Sequence, residues 1–398
     1  MLHFEVTTNI NKNIFDEICV SKKQTNISNL NFSCQKSLAQ IKRDIESNSK
    51  PWDVFKKYTY PYEYLHTSVD GIYLSKYKPF SRAFYKMIEL IHFFQLFHNK
   101  KNESITSYHF AEGPGGFIEA TEYYRNSNNN KYMSIDDEYN AVTLIDEYDN
   151  SIPGWKKSKQ FFKNKDNIHL NIGFTNDGNM YKVKNLDYIF ENHRNSHDIV
   201  TCDGGFDFSL DFNNQESIAL KLIICEMLYG IISTKLHGNF ILKVFDMFTT
   251  CSYEIVYMLS KIFEEVYICK PNTSRFGNSE KYIVCKHKKF EIDDDMFDKI
   301  KRFFIQINIY EGDFKDLSFL TFKLPYQFMN QLTEYNTMFA ERQIENINAT
   351  LSLIINNKKV DMIDKLKNKH INLCIQWLKF HNIQFNSYKK GNLFLSYK

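Results

Sequence analysis

The run Ala111-Glu112-Gly113-Pro114-Gly115-Gly116-Phe117 constrains this chain most, because three glycines and a proline stand between two apolar segments of different period. Before it, Ser107 to Ala111 reads as a short strand; after it, Phe117 to Arg125 has helical spacing. A strand that turns through glycine into a helix exposes backbone NH groups at the helix amino terminus, where the polar end of a ligand is received. The spacing narrows the ligand. A dinucleotide turn asks for G-x-G-x-x-G, and a P-loop asks for a lysine after its last glycine, where this chain has Phe117.

Around that loop the pattern alternates between short β-branched or aromatic runs and longer stretches of helical period, which predicts a mostly parallel sheet with crossover helices on both faces. Seven strands are expected: Ser107 to Ala111, Ala141 to Ile145, Asn167 to Ile172, Asp198 to Cys202, Asn239 to Phe245, Glu265 to Cys269 and Tyr282 to Lys286. Helices are expected at Phe80 to Phe97, Phe117 to Arg125, Gln215 to Thr234 and Ser252 to Phe263. Too few residues separate the last two strands for a crossover helix, so they should pair antiparallel. Residues 1–74 read as a mixed amino-terminal extension of irregular structure and short helices, with Asn- and Lys-rich patches at Asn9 to Asn13 and Thr25 to Asn31. Residues 75–291 form the core domain. Beyond 292 the apolar spacing turns helical (Phe297, Ile300, Phe303, Phe304), with a long helix over Glu334 to Leu353. The low-complexity patch Asn126 to Lys131 reads as a turn.

Composition sets bounds. In 398 residues, 43% apolar and 16% aromatic side chains are ample for a sizeable core. The 50 basic and 47 acidic residues nearly balance, so contact with nucleic acid would come from a local basic groove and not from bulk charge. The 8 cysteines contain no C-x-x-C pair, which argues against a zinc module or a disulfide framework, and no clustered His/Cys ligands call for a metal. Met1-Leu2-His3-Phe4-Glu5 lacks a basic n-region, and no window approaches the ~20 apolar residues of a membrane span. A soluble, reduced, intracellular protein is expected. Abundant Asn, Lys, Ile and Tyr suggest an AT-rich genome.

Three charged residues sit where such a sheet binds ligands, at the carboxyl ends of its strands. Asp203 follows the apolar run Asp198 to Cys202 and precedes Gly204-Gly205. Lys243 lies inside a buried-looking strand, a costly place for a cation unless it is paired or used. Glu280 stands at the entrance to the last strand, after Lys270 to Ser279. Taken singly, each also fits a turn, a snorkelling lysine or a solvated hairpin.

Five blocks in order resemble the FtsJ-like family of S-adenosylmethionine-dependent RNA 2′-O-methyltransferases, and within it the Adrift type containing cap-specific mRNA enzymes of eukaryotes and large cytoplasmic DNA viruses. They are Ser81 to Met87 (S-R-A-x-x-K-[LM]), His109 to Phe117 (H-L-C-E-A-P-G-G-F), Thr201 to Phe206 (A-D-G-G-F), Phe240 to Phe248 and Lys270 to Cys285 (K-P-x-x-S-R-x-x-N-S-E-x-Y-V-V-C). The resemblance spans about residues 75–290 and implies a Rossmann-like methyltransferase fold. It also implies S-adenosyl-L-methionine as cofactor and a catalytic tetrad at Lys86, Asp203, Lys243 and Glu280.

Lys243 would be the base that takes a ribose 2′-hydroxyl proton. Burial and Lys86 push its pKa down while Asp203 and Glu280 pull it up, and the balance is not legible from sequence. Cofactor contacts are implied for Glu112, Gly113, Pro114, Gly115, Gly116, Phe117 and Asp203, and for Asp177 or Asn179, since the Asn176 to Met180 segment displaces the family's aspartate. His109 stands where many methyltransferases have an acid, and Trp155 in Gly154-Trp155-Lys156 is either packing or binding. The implied partners are RNA, specifically a capped mRNA 5′ end, and capping or transcription machinery, in the cytoplasm of a host cell or in a virion if the source is viral. Aromatics Trp52, Phe55, Tyr58, Tyr60, Tyr62 and Tyr64 beside Lys56, Lys57, Lys76 and Lys78 read as core or as an RNA-stacking surface. A methyltransferase of ribosomal or transfer RNA, or a non-catalytic binding subunit on the same fold, stays open.

Overall fold

The structure, a computed structural model, describes residues 1–6, 12–22, 31–69, 71–100, 103–126, 136–146, 148–149, 152–206, 213–356 and 360–386. Most of the Asn-rich patches and the Asn126 to Lys131 turn lie outside the described residues. Ten strands are present among them: β1 (Leu2–Val6), β2 (Ile18–Lys22), β3 (Thr106–Phe110), β4 (Glu138–Val142), β5 (Ile168–Asn171), β6 (His197–Cys202), β7 (Thr234–Phe245), β8 (Phe263–Lys270), β9 (Glu280–Lys288) and β10 (Leu317–Leu320). The helices are α1 (Phe32–Glu46), α2 (Ser49–Phe55), α3 (Ala83–Phe94), α4 (Gly116–Asn126), α5 (Lys159–Lys163), α6 (Val183–His193), α7 (Gln215–Ser233), α8 (Thr250–Ile262), α9 (Asp294–Ile309), α10 (Tyr326–Ile355) and α11 (Val360–Phe380).

The main sheet has the order β1-β8-β9-β7-β6-β3-β4-β5. Strands β7, β6, β3, β4 and β5 run parallel, whereas β9 is antiparallel to both β7 and β8. Central β6 is buried along its whole length, as a strand covered on both faces must be. Alternation along the strands sorts the two faces. Phe240, Leu242 and Val244 of β7 join the core built by α7, α8 and α9. Ile241, with Tyr282 and Val284 of β9, joins the core of α3, α4 and α11. By the same period of two, Lys243 and Glu280 point to the α3 side.

The sheet has eight strands where seven were expected. Leu2–Val6 pairs antiparallel with β8 and covers its edge. Its apolar-polar alternation, LHFEV, was the available signal. A second departure is the two-stranded sheet β10-β2, which places a strand in the carboxy-terminal region read as helical. Strand β4 begins at Glu138, ahead of the expected Ala141, because parallel pairing aligns Thr106 with Glu138. Helix α6 was not anticipated. Helix α10 runs over 30 residues, longer than the Glu334 to Leu353 expectation.

The two ends of the chain meet over the loops that follow β7 and β8. Leu38, Ile41 and Ile45 of α1 and Trp52 of α2 pack with Ala340 and Ile347 of α10. From this layer Lys42 reaches Asp246 at 2.9 Å, and Asn336 of α10 donates to the Met247 carbonyl. Asp246 and Met247 have φ of 48° and 147°, left-handed values that such residues hold only when their surroundings fix them. Glu216 of α7 completes the fixing by accepting from the Phe248 and Thr249 NH groups at 3.0 and 2.9 Å. Among the described residues no helix is long and apolar enough to cross a membrane.

Candidate active site

The sheet register brings the charged residues together. Lys243 lies directly across from Tyr282, and Phe245 across from Glu280. Cys202 pairs with Leu242, so Asp203 leaves β6 beside Lys243. Helix α3 crosses this face and brings Lys86 onto Glu280 at 2.8 Å. Lys243 Nζ is 3.2 Å from Asp203 Oδ1 and donates to the Asp203 carbonyl at 2.6 Å.

Tyr282, the tyrosine of the last block, to which the sequence reading gave no role, connects the two pairs. Its hydroxyl donates to Asp203 Oδ1 at 2.9 Å and accepts from Lys86 Nζ at 3.3 Å. Lys243, Asp203, Tyr282, Lys86 and Glu280 therefore form one continuous chain. Ser274 extends it by donating to Glu280 Oε1 at 2.8 Å. Lys270, fully buried, ties the loop before Glu280 by donating to the carbonyls of Asn278 at 2.8 Å and Glu280 at 2.7 Å.

Electrostatics resolve the balance at Lys243. Burial is the largest influence and pushes its pKa down, but Asp203, Glu280 and Glu226 together outweigh it and hold the ammonium above the ordinary lysine value. Burial likewise pushes Glu280 up, yet Lys86, Lys243 and Lys270 hold its carboxyl well below the usual range. Glu226 was also missed by sequence. Burial raises it to about 8, and it accepts from the Gly204 NH at 2.9 Å.

The glycine loop sits at the carboxyl end of β3. Ala111 takes φ 50° and Gly115 φ 111°, and Gly116 lets α4 start against Ser81 and Ala83, where a Cβ would collide. Gly113 donates its NH to Thr143 Oγ1 at 3.1 Å and backs onto Gly154, which ties the loops after β3 and β4 together. Glu112 caps α4, accepting from Phe117 N at 2.6 Å and Ile118 N at 3.0 Å through one oxygen. Its other carboxyl oxygen is buried with no hydrogen-bond partner among the described residues, and burial raises this acid well above the carboxylate range. That oxygen suits a polar ligand group at the loop.

The other residues singled out in the sequence have these surroundings. The Phe117 side chain is fully buried against Tyr282, so only the backbone of that residue faces the loop. Asp177 spends its carboxylate on its own turn, accepting from Thr175, Asn179 and Lys182, while Asn179 accepts from the Tyr181 NH. His109 is a core residue, bonded to Thr201 at 2.8 Å and Ser107 at 3.1 Å, and burial lowers its pKa to about 3. Trp155 is buried against Phe162. Of the amino-terminal aromatics, Trp52, Tyr60 and Tyr64 are buried and the rest half-buried, which is packing. Beside them Arg82 and Arg275 both grip the buried Glu63, at 3.0 and 3.1 Å, and Arg82 lies over the Tyr60 ring. Two guanidiniums on one carboxylate leave a net positive charge at the rim. Among the described residues no group of His, Cys, Asp or Glu is arranged to hold a metal ion.

An open, mostly parallel sheet with a glycine turn after its first core strand, and a lysine-aspartate-lysine-glutamate chain at the same edge, defines a Rossmann-like methyltransferase. The chain belongs to the FtsJ-like methyltransferase family, whose model matches residues 79–288. That family uses S-adenosylmethionine. The chain is 30% identical over 277 residues to the cap-specific mRNA (nucleoside-2′-O-)-methyltransferase 2 of Drosophila melanogaster, covering 68% of this chain and 38% of that protein. It is 34% identical over 181 residues to the Drosophila cap-specific mRNA (nucleoside-2′-O-)-methyltransferase 1, covering 44% and 21%, and 28% identical over 297 residues to the type 2 protein of Danio rerio, covering 69% and 37%. The chain thus spans well under half the length of the relatives it matches.

Proposed function

We propose that this protein transfers a methyl group from S-adenosylmethionine to the ribose 2′-hydroxyl of RNA, at the first transcribed nucleotides of capped mRNA. The observation that carries the reading is the chain Lys243, Asp203, Tyr282, Lys86 and Glu280, closed by hydrogen bonds. The glycine loop with Glu112, Gly113, Pro114, Gly115 and Gly116 and the backbone of Phe117 would hold the cofactor, with Asp203 on one side at the end of β6 and Asn179 and the turn built by Asp177 on the other, after β5. Bound S-adenosylmethionine supplies an activated methyl on a sulfonium cation, whose charge also opposes the neighbouring ammonium.

A 2′-hydroxyl is a weak nucleophile and must lose its proton as it attacks. Lys243 is the base in this reading. Asp203 orients its Nζ by two contacts, and Tyr282 passes that orientation to Lys86. Lys86, neutralised by Glu280, is left to position the ribose oxygen; alignment of this kind supplies much of the rate. The net positive rim formed by Arg82, Arg275 and Glu63 suits the phosphates of the RNA chain. Such a substrate would bring the protein alongside capping or transcription machinery. The amino-terminal extension (1–74) and carboxy-terminal region (292–398) would serve the 75–291 domain by holding the loop after β7.

The test is transfer of labelled methyl from S-adenosylmethionine to a short capped RNA, beside the same RNA already 2′-O-methylated at its first nucleotide. Label on the first alone is expected for methylation at that nucleotide. Equal label on both would move the target elsewhere, and no label on either would sink the reading.

A further inference from the structure

A cavity of about 440 Å³ opens at the opposite, amino-terminal edge of the main sheet. It shares its supporting elements with the site above. Asn239 in its wall precedes Lys243 on β7 by four positions, about 13 Å at ~3.3 Å per residue. One wall is aromatic: Phe93 and Phe94 from the end of α3 and Tyr267 of β8, with Phe93 43% exposed. The side chains of Gln95, His98 and His237 border the mouth without a hydrogen-bond partner among the described residues.

The backbone gives an independent sign. Gln95, His237 and His287 all line this cavity, and all are left-handed, with φ of 52°, 60° and 58°. Each stands where a different element ends or bulges. Gln95 caps α3 in the place glycine usually takes, His237 rides the bulge where pairing jumps from Thr234 to Asn239, and His287 lies near the end of β9. Non-glycine residues are uncommon in this region of the backbone, and three of them on one cavity are the observation from which a use is inferred. The bordering carboxylates are already matched: Asp198 meets Lys235 at 2.6 Å and Lys100 at 3.8 Å, and Glu265 meets Lys286 at 3.0 Å. An amide and imidazoles are therefore left to face a ligand, beside an aromatic wall.

We propose that this cavity binds a nucleotide, its base against Phe93 and Tyr267, its polar edge met by Gln95 and its phosphate by His98 and His237. The volume lies within the roughly 300–1,000 Å³ of small-molecule sites, and base-on-aromatic stacking tolerates any base. The nucleotide is either free or one unit of a single-stranded RNA.

The full chain is titrated by calorimetry with each of AMP, GMP, CMP and UMP and with an uncapped RNA pentamer. Saturable binding is expected, retained by Lys243→Met, which separates it from the active site. A Gln95→Gly/His237→Gly variant should weaken it at least tenfold while its melting temperature holds or rises. Phe93→Ala, at an exposed position, should weaken it as well and decides the matter if the glycine variant folds poorly. Binding of a mononucleotide identifies a free nucleotide and binding of the pentamer alone identifies an RNA chain; both uphold the site. No saturable binding, binding lost in Lys243→Met, or binding kept in full by both cavity variants overturns it.

Discussion

The Tyr282 hydroxyl donates to Asp203 Oδ1 at 2.9 Å while its own oxygen accepts from Lys86 Nζ at 3.3 Å. This hydroxyl is the link that makes two ion pairs, Lys243–Asp203 and Lys86–Glu280, into one unit. Burial, with the Asp203 and Glu280 charges behind it, holds the phenol far above its ordinary pKa, so it stays a neutral donor. Tyr282→Phe keeps the buried ring and removes the link. Methyl transfer should fall roughly 10- to 100-fold, and denaturant unfolding should register a loss of about 1–3 kcal/mol for the orphaned partners.

Lys243 is held above the ordinary lysine value, so in the free protein it is an ammonium at neutral pH. As a base it works only when neutral. The kcat/KM for methyl transfer should therefore climb with pH from about 6.5 to about 9 without a plateau, and Lys243→Met should lower kcat by ~100-fold or more. A flat profile for the wild type would contradict this role.

Glu226 helps to hold that ammonium, and its own acid, raised by burial to about 8, ionises within the assay range. Glu226→Gln keeps an acceptor for the Gly204 NH and removes the negative charge. The acid limb of the rate profile should move to lower pH, and the rate at pH ~7 should rise or hold. A shift to higher pH would show that Glu226 acts on Lys243 by some other route.

Lys42 and Asp246 form a buried pair at the loop after β7, each side chain 6% exposed. Burial raises the Asp246 pKa, but Lys42 and Lys281 outweigh it and hold it below the ordinary value. Lys42→Met should destabilise by about 3 kcal/mol, at the low end for a broken buried pair because Lys281 remains. A depressed acid contributes its stability above its unfolded pKa, near ~3.9, and loses it as pH falls through the folded value. Chemical denaturation should accordingly show the wild type and Lys42→Met converging below about pH 4.

How much was legible in advance follows from the range over which each signal acts. The glycine run 113–116 announced a strand-to-helix turn, because only such residues accept φ of 111° at Gly115 and the close approach at Gly116. Strand β7 was readable to its final residue, Phe245, since a run that is apolar but for Lys243 reads as a buried strand. Asp203, Lys243 and Glu280 were nameable from their places at or within strands and Lys86 only as a member of a block; nothing in their spacing says that they meet. What the motif does not reveal is where each side chain goes: cross-strand hydrogen bonds claim His109, and core packing claims the Phe117 ring, which leaves its backbone for the loop.

Alone, then, the sequence determined the class of fold, the strand-to-helix turn at the glycine run and the kinds of residue in the candidate site. These are local matters of period, glycine and backbone angle. The tertiary structure decided that β9 inserts between β8 and β7, which puts Tyr282 opposite Lys243 and Glu280 under Lys86. It also decided that β1 takes the sheet edge and that α1 and α10 hold the loop after β7. The sign of the Lys243 shift belongs there too, because it is the sum over charges brought from α7, β6 and β9, and no stretch of sequence contains that sum.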